Sequence, residues 1–293
     1  MKITNTKKLP SFLVKAAEFW AQHHDSQAEY SVTELLDAPR RVALMSQHAD
    51  QLTEDVSDRM WSLLGSSVHK VIEAALEADD DDTLISEHRM FAEIDGIRIS
   101  GQCDVYDSSS NQLYDLKTAS VWEIINGVRE EREQQLNCYA YLGRREGWKV
   151  DGIAAVFILR DWSKNKALEH DYPADQAFVY PLKMWDDAVT EQFLRDRIRV
   201  HEDAKVKLPY CTPEEQWRRE DKFAVRVSSA KKALRVKDSM AEAHQWMAEQ
   251  GKGEFVEVRP GKAVRCEDYC SVRDYCTQYG AMTLSQQSRN EAS

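Results

Sequence analysis

The sequence predicts an α/β fold in which helices flank a mixed central β-sheet, followed by a cysteine-rich, partly helical C-terminal extension. The predicted elements run in the order helix, paired strands, helix, strand and helix. One of these strands is apolar throughout, which is typical of burial on both faces. The chain has 293 residues, of which 42% are hydrophobic and 30% charged, so it can bury a substantial core.

Two helical segments are predicted before the sheet. One begins near Ser31 or Thr33, either of which can cap it, and is broken or bent by Pro39. The other, residues 60–76, has the clearest helical period in the chain. Its apolar positions predict a buried stripe formed by Trp61, Leu64, Val68, Ile72 and Ala75.

A β-hairpin is predicted between residues 99 and 120. Two strand-like runs flank the segment 108–111, whose Ser and Asn side chains favour a turn. Because side chains alternate across a strand, Asp115 and Lys117 share one face. Asp104, on the preceding strand, can reach the same end of the hairpin.

The chain continues with a helix over 121–146, a buried strand over 152–159 and an edge strand at 179–180. A further helix is expected over 182–204, with Pro181 in its first turn. These elements form a predicted core domain over residues 1–205. We expect a basic, cysteine-rich subdomain over 206–280 and a disordered polar tail over 281–293.

The formal net charge of −11 argues against a simple basic nucleic-acid coat, because such a surface repels phosphate on average. The acidic run at 79–82 is expected to be a solvated loop. Basic side chains concentrate between residues 217 and 237. The candidate DNA contacts there are Arg218, Arg219, Lys222, Arg226, Lys231 and Lys232.

The N-terminal residues lack an apolar run of signal-peptide length, and no stretch approaches a membrane span. The sequence therefore predicts a cytoplasmic protein with no membrane partner. In a reducing compartment its six cysteines are not expected to form disulfides. Cys103 and Cys138 fall within core elements and are predicted to be small packing residues.

The converging acidic and basic groups at the hairpin suggest a metal site. Two carboxylates and an ammonium group can hold a divalent cation beside a polarised water, as phosphodiester hydrolysis requires. However, Asp-x-Lys is a common tripeptide, and charges on strands usually face solvent. His69 is likewise either a ligand at the border of its helix's apolar stripe or an ordinary half-buried histidine. No glycine-rich phosphate loop is present, so no ATPase activity is expected.

Four short motifs follow one another along the chain: Gly65-x-x-x-His69, Gly101-x-x-Asp104, Asp115-x-Lys117-Thr118 and Gln135-x-x-x-Tyr139. This succession, over residues 30–160, resembles the RecB-like branch of the PD-(D/E)XK nuclease superfamily. That branch includes helicase-coupled recombination nucleases, CRISPR-associated exonucleases and phage exonucleases. The resemblance implies a restriction-endonuclease-like core.

The resemblance also implies roles for individual residues. Asp104, Asp115 and the carbonyl of Leu116 would bind Mg²⁺ or Mn²⁺, and His69 would be the extra ligand typical of this branch. Lys117 would orient the attacking water and offset the charge of the transition state. Gln135 and Tyr139 would lie beside the site and hold the DNA strand or Lys117, although plain core packing is an open alternative for Tyr139. Glu73 would be at most a minor helper.

The activity implied is that of a metal-dependent DNA exonuclease in recombination, repair or phage DNA processing. The implied partners are DNA and a strand-annealing recombinase or single-strand-binding protein. Two alternatives stay open: a structure-specific DNA endonuclease, and a nuclease-derived DNA-binding subunit that no longer cleaves.

A second candidate site is the cluster Cys266, Cys270 and Cys276, with Cys211 as a plausible fourth ligand. Four thiolates fit zinc or a 4Fe–4S cluster, and the three- and five-residue gaps favour iron–sulfur over zinc. Several RecB-like nucleases carry such a cluster, with its first cysteine before the core. This sequence has Ala38-Pro39 at that place, so Cys211 would have to substitute. Four unconnected thiols are the alternative.

Overall fold

The computed structural model of the protein describes residues 2–21, 27–79 and 81–291. Its helices are α1 (Ser11–Ala21), α2 (Val32–Leu36), α3 (Pro39–Gln47), α4 (Met60–Glu77), α5 (Val121–Ile125), α6 (Glu130–Arg145), α7 (Asp187–Val206), α8 (Met240–Gln250) and α9 (Thr277–Glu291). Its strands are β1 (Lys2–Thr4), β2 (Tyr30–Ser31), β3 (Thr53–Asp55), β4 (Leu84–Ile94), β5 (Ile97–Asp107), β6 (Gln112–Ala119), β7 (Gly152–Leu159), β8 (Ala177–Leu182), β9 (Lys222–Arg226), β10 (Arg235–Lys237) and β11 (Phe255–Arg259).

The chain divides into two units. The first contains residues 1–43 and 49–208, and the second contains residues 44–48 and 209–293. The border after residue 208 lies close to the border that the composition suggests. The last residues of α3 belong to the second unit, which the sequence did not indicate.

A six-stranded mixed sheet forms the centre of the first unit, and helices flank it, as the sequence predicts. Its path runs β2, β5, β6, β7 and β8, and β4 pairs with β5 outside this path. The β5–β6 hairpin is antiparallel, β6 runs parallel to β7, and β8 returns antiparallel to β7. The parallel step requires a crossover, which α5 and α6 supply.

A gap in strand pairing distinguishes the middle of β5. β4 pairs with β5 from Leu84 to Ile94 except at Glu87. On the other edge, β2 pairs only with Ile99 and Ser100, and β6 pairs only with residues 105–107. Residues 101–104 thus lie at a fork in the sheet, where backbone groups can bond to side chains instead of to a strand.

The core packs α6 and α7 against the sheet. Leu136, Leu142 and Leu194 are fully buried there, and Cys103 and Cys138 are too, which confirms their predicted packing role. Gly101 allows α6 to approach β5 closely: a Cβ at this position would lie 2.7 Å from Cδ1 of the Tyr139 ring. The glycine is therefore needed for packing rather than for backbone freedom.

The predicted buried stripe on α4 is wrong. No described side chain of α4 is buried, and Trp61 is 66% exposed. The periodicity correctly identified a helix, but an amphipathic pattern does not tell what covers the apolar side. Here α4 reaches the sheet through His69, over a polar part of it.

Three other boundaries differ from the prediction. The helix over 121–146 is interrupted, because Gly127 adopts a left-handed φ of 92° between α5 and α6. Pro181 lies inside β8, and the following helix begins only at Asp187. An edge strand tolerates proline because one side of it needs no ladder bond. Residues 281–291, predicted to be disordered, continue α9, while 292–293 lie outside the described residues.

The capped start of α2 is confirmed, since Ser31 and Glu34 form a capping box. In the second unit, β10, β9 and β11 form an antiparallel sheet, and the ring of His48 stacks on Tyr275 at a centroid distance of 4.0 Å. Among the described helices, none has both the length and the apolar character needed to cross a bilayer.

Candidate active site

Three carboxylates form a row across the central sheet. On β4, Glu87 lies between Ser86 and His88, which pair with Val105 and Cys103 on either side of Asp104. On β6, Asp115 directly follows Tyr114, which pairs with Val105. Residues that face each other on adjacent strands project to the same side of a sheet. Strand pairing thus gathers acids that are far apart in sequence.

Asp104 is held at the fork by the backbone of the neighbouring strand. Its Oδ2 accepts a hydrogen bond of 2.6 Å from the Leu116 N–H. The carboxylate therefore takes the place of a ladder partner just where β5 and β6 stop pairing. Its Oδ1 remains directed toward α4.

His69 reaches this row from α4. Its Nδ1 lies 3.3 Å from Oε1 of Glu87 and 3.5 Å from Oδ1 of Asp104. Ligand atoms of these three residues all lie within 4.8 Å of one another, as a single metal ion requires. Gly65, one turn before His69, lets α4 lie close to β6. A Cβ at this position would lie 3.2 Å from Oγ1 of Thr118.

Lys117 and Asp115 form the other side of the site. The Lys117 Nζ lies 2.7 Å from Oδ1 and 2.6 Å from Oδ2 of Asp115, whose side chain is only 2% exposed. The contact with Oδ2 lacks hydrogen-bond geometry, so this buried oxygen has no hydrogen-bond partner among the described residues. Lys117 offsets the charge of this carboxylate, and the oxygen keeps lone pairs with which it could also bind a metal cation.

The electrostatics of the row also favour a cation. Burial, together with the charge of Asp115, raises the pKa of Asp104 to about 7. The hydrogen bond with Glu87 raises the pKa of His69, although burial opposes this. Burial acts to raise the pKa of Glu87, but the hydrogen bonds from His69 and Gln102 outweigh it and lower that pKa. Two buried acids that disfavour each other's charge are a suitable ligand pair for a divalent ion.

A cavity of about 340 Å³ opens over this site, lined among others by His69, Glu87, Leu116 and Lys117. Carboxylate oxygens are ligands that suit Mg²⁺ or Mn²⁺. The carboxylates and the imidazole present therefore fit a hard divalent cation, and Leu116 lines the same cavity.

Gln135 and Tyr139 lie next to the acids but contact each other. Gln135 Nε2 donates to the Tyr139 hydroxyl at 2.8 Å, and the tyrosine is 5% exposed. Burial, followed by the charge of Asp115, raises the pKa of Tyr139. The pair thus borders the site, and in the hydrogen bonds that the described residues form Gln135 does not reach Lys117.

Glu87 is the site residue that the sequence did not reveal. Its strand, β4, was not predicted, and its backbone has a left-handed φ of 50°. Such a conformation is uncommon for a non-glycine residue and occurs preferentially at functional sites. Only the strand register and the approach of α4 bring Glu87 to the other groups.

The four cysteines of the second candidate site all lie in the second unit. Cys266 is in a π-helical turn, and Cys270 and Cys276 flank a short 3-10 turn. Burial and then the nearby Cys270 and Cys276 raise the pKa of Cys266. The backbone of Cys211 is clamped by the Gln278 amide, which accepts from its N–H at 2.8 Å and donates to its carbonyl at 3.0 Å. Within the described chain, no three of the sulfur atoms lie within 4.8 Å of one another.

The predicted DNA contacts are also in the second unit, and several are partly neutralised. Ion pairs join Arg218 to Asp221, Lys222 to Asp238 and Arg226 to Glu257. Each acid neutralises part of the positive charge that would otherwise attract a DNA phosphate. Arg219, Lys231 and Lys232 are exposed, and both lysines lie in the loop between β9 and β10.

The acidic row at the sheet fork, with a histidine facing it and a lysine two residues beyond Asp115, is an arrangement that could hold a metal ion. The model of the PD-(D/E)XK nuclease superfamily matches residues 7–277, so the chain belongs to that superfamily. Its members are nucleases that use divalent metals and act on DNA. The crystal structure of SSO0001 aligns with a TM-score of 0.46 at 19% identity, over 65% of this chain and 85% of that chain. Among curated proteins, none matches this chain.

Proposed function

We propose that this protein is a Mg²⁺- or Mn²⁺-dependent deoxyribonuclease of the RecB-like branch that removes nucleotides from DNA ends. The observation that carries the proposal is the buried, hydrogen-bond-free Oδ2 of Asp115, in the same row as Asp104 and beside Lys117. The four motifs of the branch support it, since His69 faces Asp104.

Each side chain then has a defined task. Asp104, Asp115, the Leu116 carbonyl, His69 and Glu87 would hold the metal. When bound, the ion would neutralise phosphate charge and lower the pKa of a water molecule. Lys117 would hold that water in line with the phosphorus and stabilise the added negative charge. Water thereby adds to phosphorus and one P–O ester bond breaks, leaving a phosphate monoester and a hydroxyl.

The proposal is tested by incubating purified protein with labelled linear and circular DNA, with Mg²⁺, Mn²⁺ or EDTA. We expect metal-dependent degradation of linear DNA only. Asp115→Asn and Lys117→Ala should each lower the rate by at least about 100-fold, because each removes charge stabilisation at the reacting phosphate. Asp196→Asn and Lys149→Ala, at exposed positions of other elements, are the matched controls and should retain full activity.

Other outcomes separate the alternatives. Cleavage of the circular substrate would establish an endonuclease. DNA binding without cleavage under either metal would establish a binding subunit. Full activity of folded Asp115→Asn would reject the assigned site.

We also propose that Cys211, Cys266, Cys270 and Cys276 hold a 4Fe–4S cluster. Tetrahedral zinc would bring its sulfur ligands to about 3.8 Å from each other, given Zn–S bonds of about 2.3 Å. The three- and five-residue gaps between Cys266, Cys270 and Cys276 favour the larger iron–sulfur cluster over zinc. The clamp between Gln278 and Cys211 supports the fourth ligand, since it ties Cys211 to the turn that follows Cys276.

Anaerobic purification followed by iron, sulfide and zinc analysis tests the cluster. We expect a coloured protein with about four irons, and loss of iron in Cys270→Ser. Cys103→Ala, a buried cysteine of the first unit, should keep its iron. A colourless protein with one zinc would overturn the iron–sulfur assignment, and metal-free protein would support four independent thiols.

Lys231 and Lys232 would supply DNA phosphate contacts, together with Arg219. By its resemblance to phage and recombination nucleases, the protein would work with a strand-annealing recombinase or a single-strand-binding protein. Co-purification of either with the intact chain, in the absence of DNA, would support such a pairing.

A further inference from the structure

An exposed tryptophan on α4 directly precedes Ser62, which lines the cavity of the candidate active site. Trp61 is 66% exposed, although its helix period predicts burial. The guanidinium carbon of Arg160 lies over its ring, 4.8 Å from the centroid. Other large apolar side chains of the chain are equally exposed, so it is the position of Trp61 on the helix of His69, rather than its exposure alone, that suggests a role.

Trp61 belongs to the same helix face as the metal-binding histidine. Trp61, Gly65 and His69 recur at four-residue intervals on α4, so they lie along one side of the helix. The eight residues from Trp61 to His69 correspond to about 12 Å along the axis at 1.5 Å per residue. Stacked nucleotides repeat at about 3.4 Å, so this span corresponds to roughly three to four nucleotides.

The partner of Trp61 is tied to the catalytic strand. Arg160 follows directly on β7 and donates to the carbonyl oxygen of Thr118 at 3.3 Å. Thr118 follows Lys117 and faces Gly65. Arg160, which contacts Trp61, and Lys117 therefore lie near the ends of two adjacent parallel strands.

We infer that Trp61 and Arg160 form a stacking platform for an unpaired base of single-stranded DNA, a few nucleotides from the scissile phosphate. Aromatic rings bind single strands by stacking on bases, and arginine adds charge for the phosphates. Bases within a duplex are already stacked on each other and offer no free face. The inference rests on the proposed function, because it assigns the substrate of that same site.

The test measures binding in EDTA, where no cleavage occurs, by fluorescence anisotropy with a labelled oligothymidylate. The comparison probes are the same oligonucleotide with abasic sites and a blunt duplex. We expect Trp61→Ala to weaken binding of the oligothymidylate about tenfold, and Trp61→Phe to restore most of it. Neither change should alter the weaker binding of the abasic strand or of the duplex by more than about twofold.

Phe12→Ala is the matched control, because Phe12 is an exposed aromatic residue on another helix, at 67% exposure. It should bind all three probes as the unmodified protein does. Equal losses on the abasic strand, or no loss with Trp61→Ala, would overturn the inference. The inference would also be overturned if the protein self-associates and Trp61→Ala abolishes the association. The Trp61 face of α4 would then be an interface between copies of the chain. Absence of nuclease activity together with base-dependent binding would reject the proposed function but keep the platform.

Discussion

At the scale of the residue, Glu87 shows how a strained backbone can serve a site. Its left-handed φ interrupts regular pairing opposite Asp104, and its carboxylate accepts a 2.5 Å hydrogen bond from Gln102 while contacting His69. The sheet holds this conformation because the flanking pairs of β4 and β5 stay in register. Glu87 is thereby placed among the predicted metal ligands.

We predict that Glu87→Gln weakens Mn²⁺ binding by at least about tenfold, because a neutral amide replaces a charged ligand of the site. Isothermal titration calorimetry of the DNA-free protein measures this directly. Glu93→Gln, an exposed position on the same strand, should leave the affinity unchanged. Unaltered Mn²⁺ affinity in Glu87→Gln would exclude the residue from the metal site.

The strained backbone at Glu87 predicts a particular order of stability among variants. Glu87→Gly should be more stable than Glu87→Ala by about 1 kcal/mol in EDTA, because alanine bears the cost of a left-handed backbone and glycine does not. At Glu93, a regular strand position, the order should reverse. Urea denaturation of the four variants gives both differences, and the same order at both positions would contradict a strained Glu87.

At the scale of the element, two contacts hold the helices that border the site. Gly101 lets α6 lie directly on β5. His201, on α7, bonds the Leu35 carbonyl at 3.1 Å near the end of α2. Neither contact is within one element, so helix and strand periodicity alone could not predict them.

We expect Gly101→Ala to destabilise the protein by about 1–3 kcal/mol, because its methyl group would overlap the buried Tyr139 ring and overpack the core. Thermal unfolding measures the loss. Gly280→Ala is the control of opposite sign: nothing lies within 4 Å of its Cβ position on α9, and alanine favours helices. Equal effects of the two changes would rule out the close approach of α6.

His201 should make stability pH-dependent. Burial, and then the charge of Arg197, lower its pKa in the folded protein, whereas the unfolded value is about 6.5. The unfolded chain therefore binds the proton first as pH falls. Stability is fully present above about pH 6.5 and declines as pH drops toward the folded pKa.

Urea denaturation of the protein at pH values between about 7.5 and about 5 tests this expectation. His201→Gln should reduce the loss of unfolding free energy on acidification. His170→Gln, at a side chain that is 93% exposed, should leave the profile as it is. A steeper decline in His201→Gln would show that the sign is wrong.

At the scale of the whole molecule, the chain separates its two candidate metal sites. The acidic row lies in the first unit, and all four cysteines lie in the second. The proposed cluster would thus close the C-terminal region upon itself, in contrast to relatives whose first cysteine precedes the core.

We predict that Cys276→Ser lowers the thermal stability of the second unit and leaves Mn²⁺ binding at the acidic row unchanged. Losing one ligand removes the metal's contribution to folding only where that metal is bound. Differential scanning calorimetry and Mn²⁺ titration on the same full-length variant measure both effects. A large loss of Mn²⁺ affinity would show that the two sites depend on each other.

The sequence by itself determined the features that rest on neighbouring residues. These are the cap of α2, the hairpin with its alternating Asp115 and Lys117, the buried strand β7, and the spacing of Gly65 and His69 on one helix face. Each follows from a period or a turn preference that a few consecutive residues express. For that reason the mixed α/β sheet could be predicted, and the short motifs on it could be read as a family resemblance.

Only the tertiary structure decided which groups meet. The position of Glu87 depends on the register of two strands and on an unusual φ, and the exposure of Trp61 depends on what α4 packs against. The breaks at Gly127 and Pro181 likewise depend on strand pairing and on the path of the crossover. Such features are set by contacts between segments distant in sequence, and the energy of those contacts overrides the local pattern.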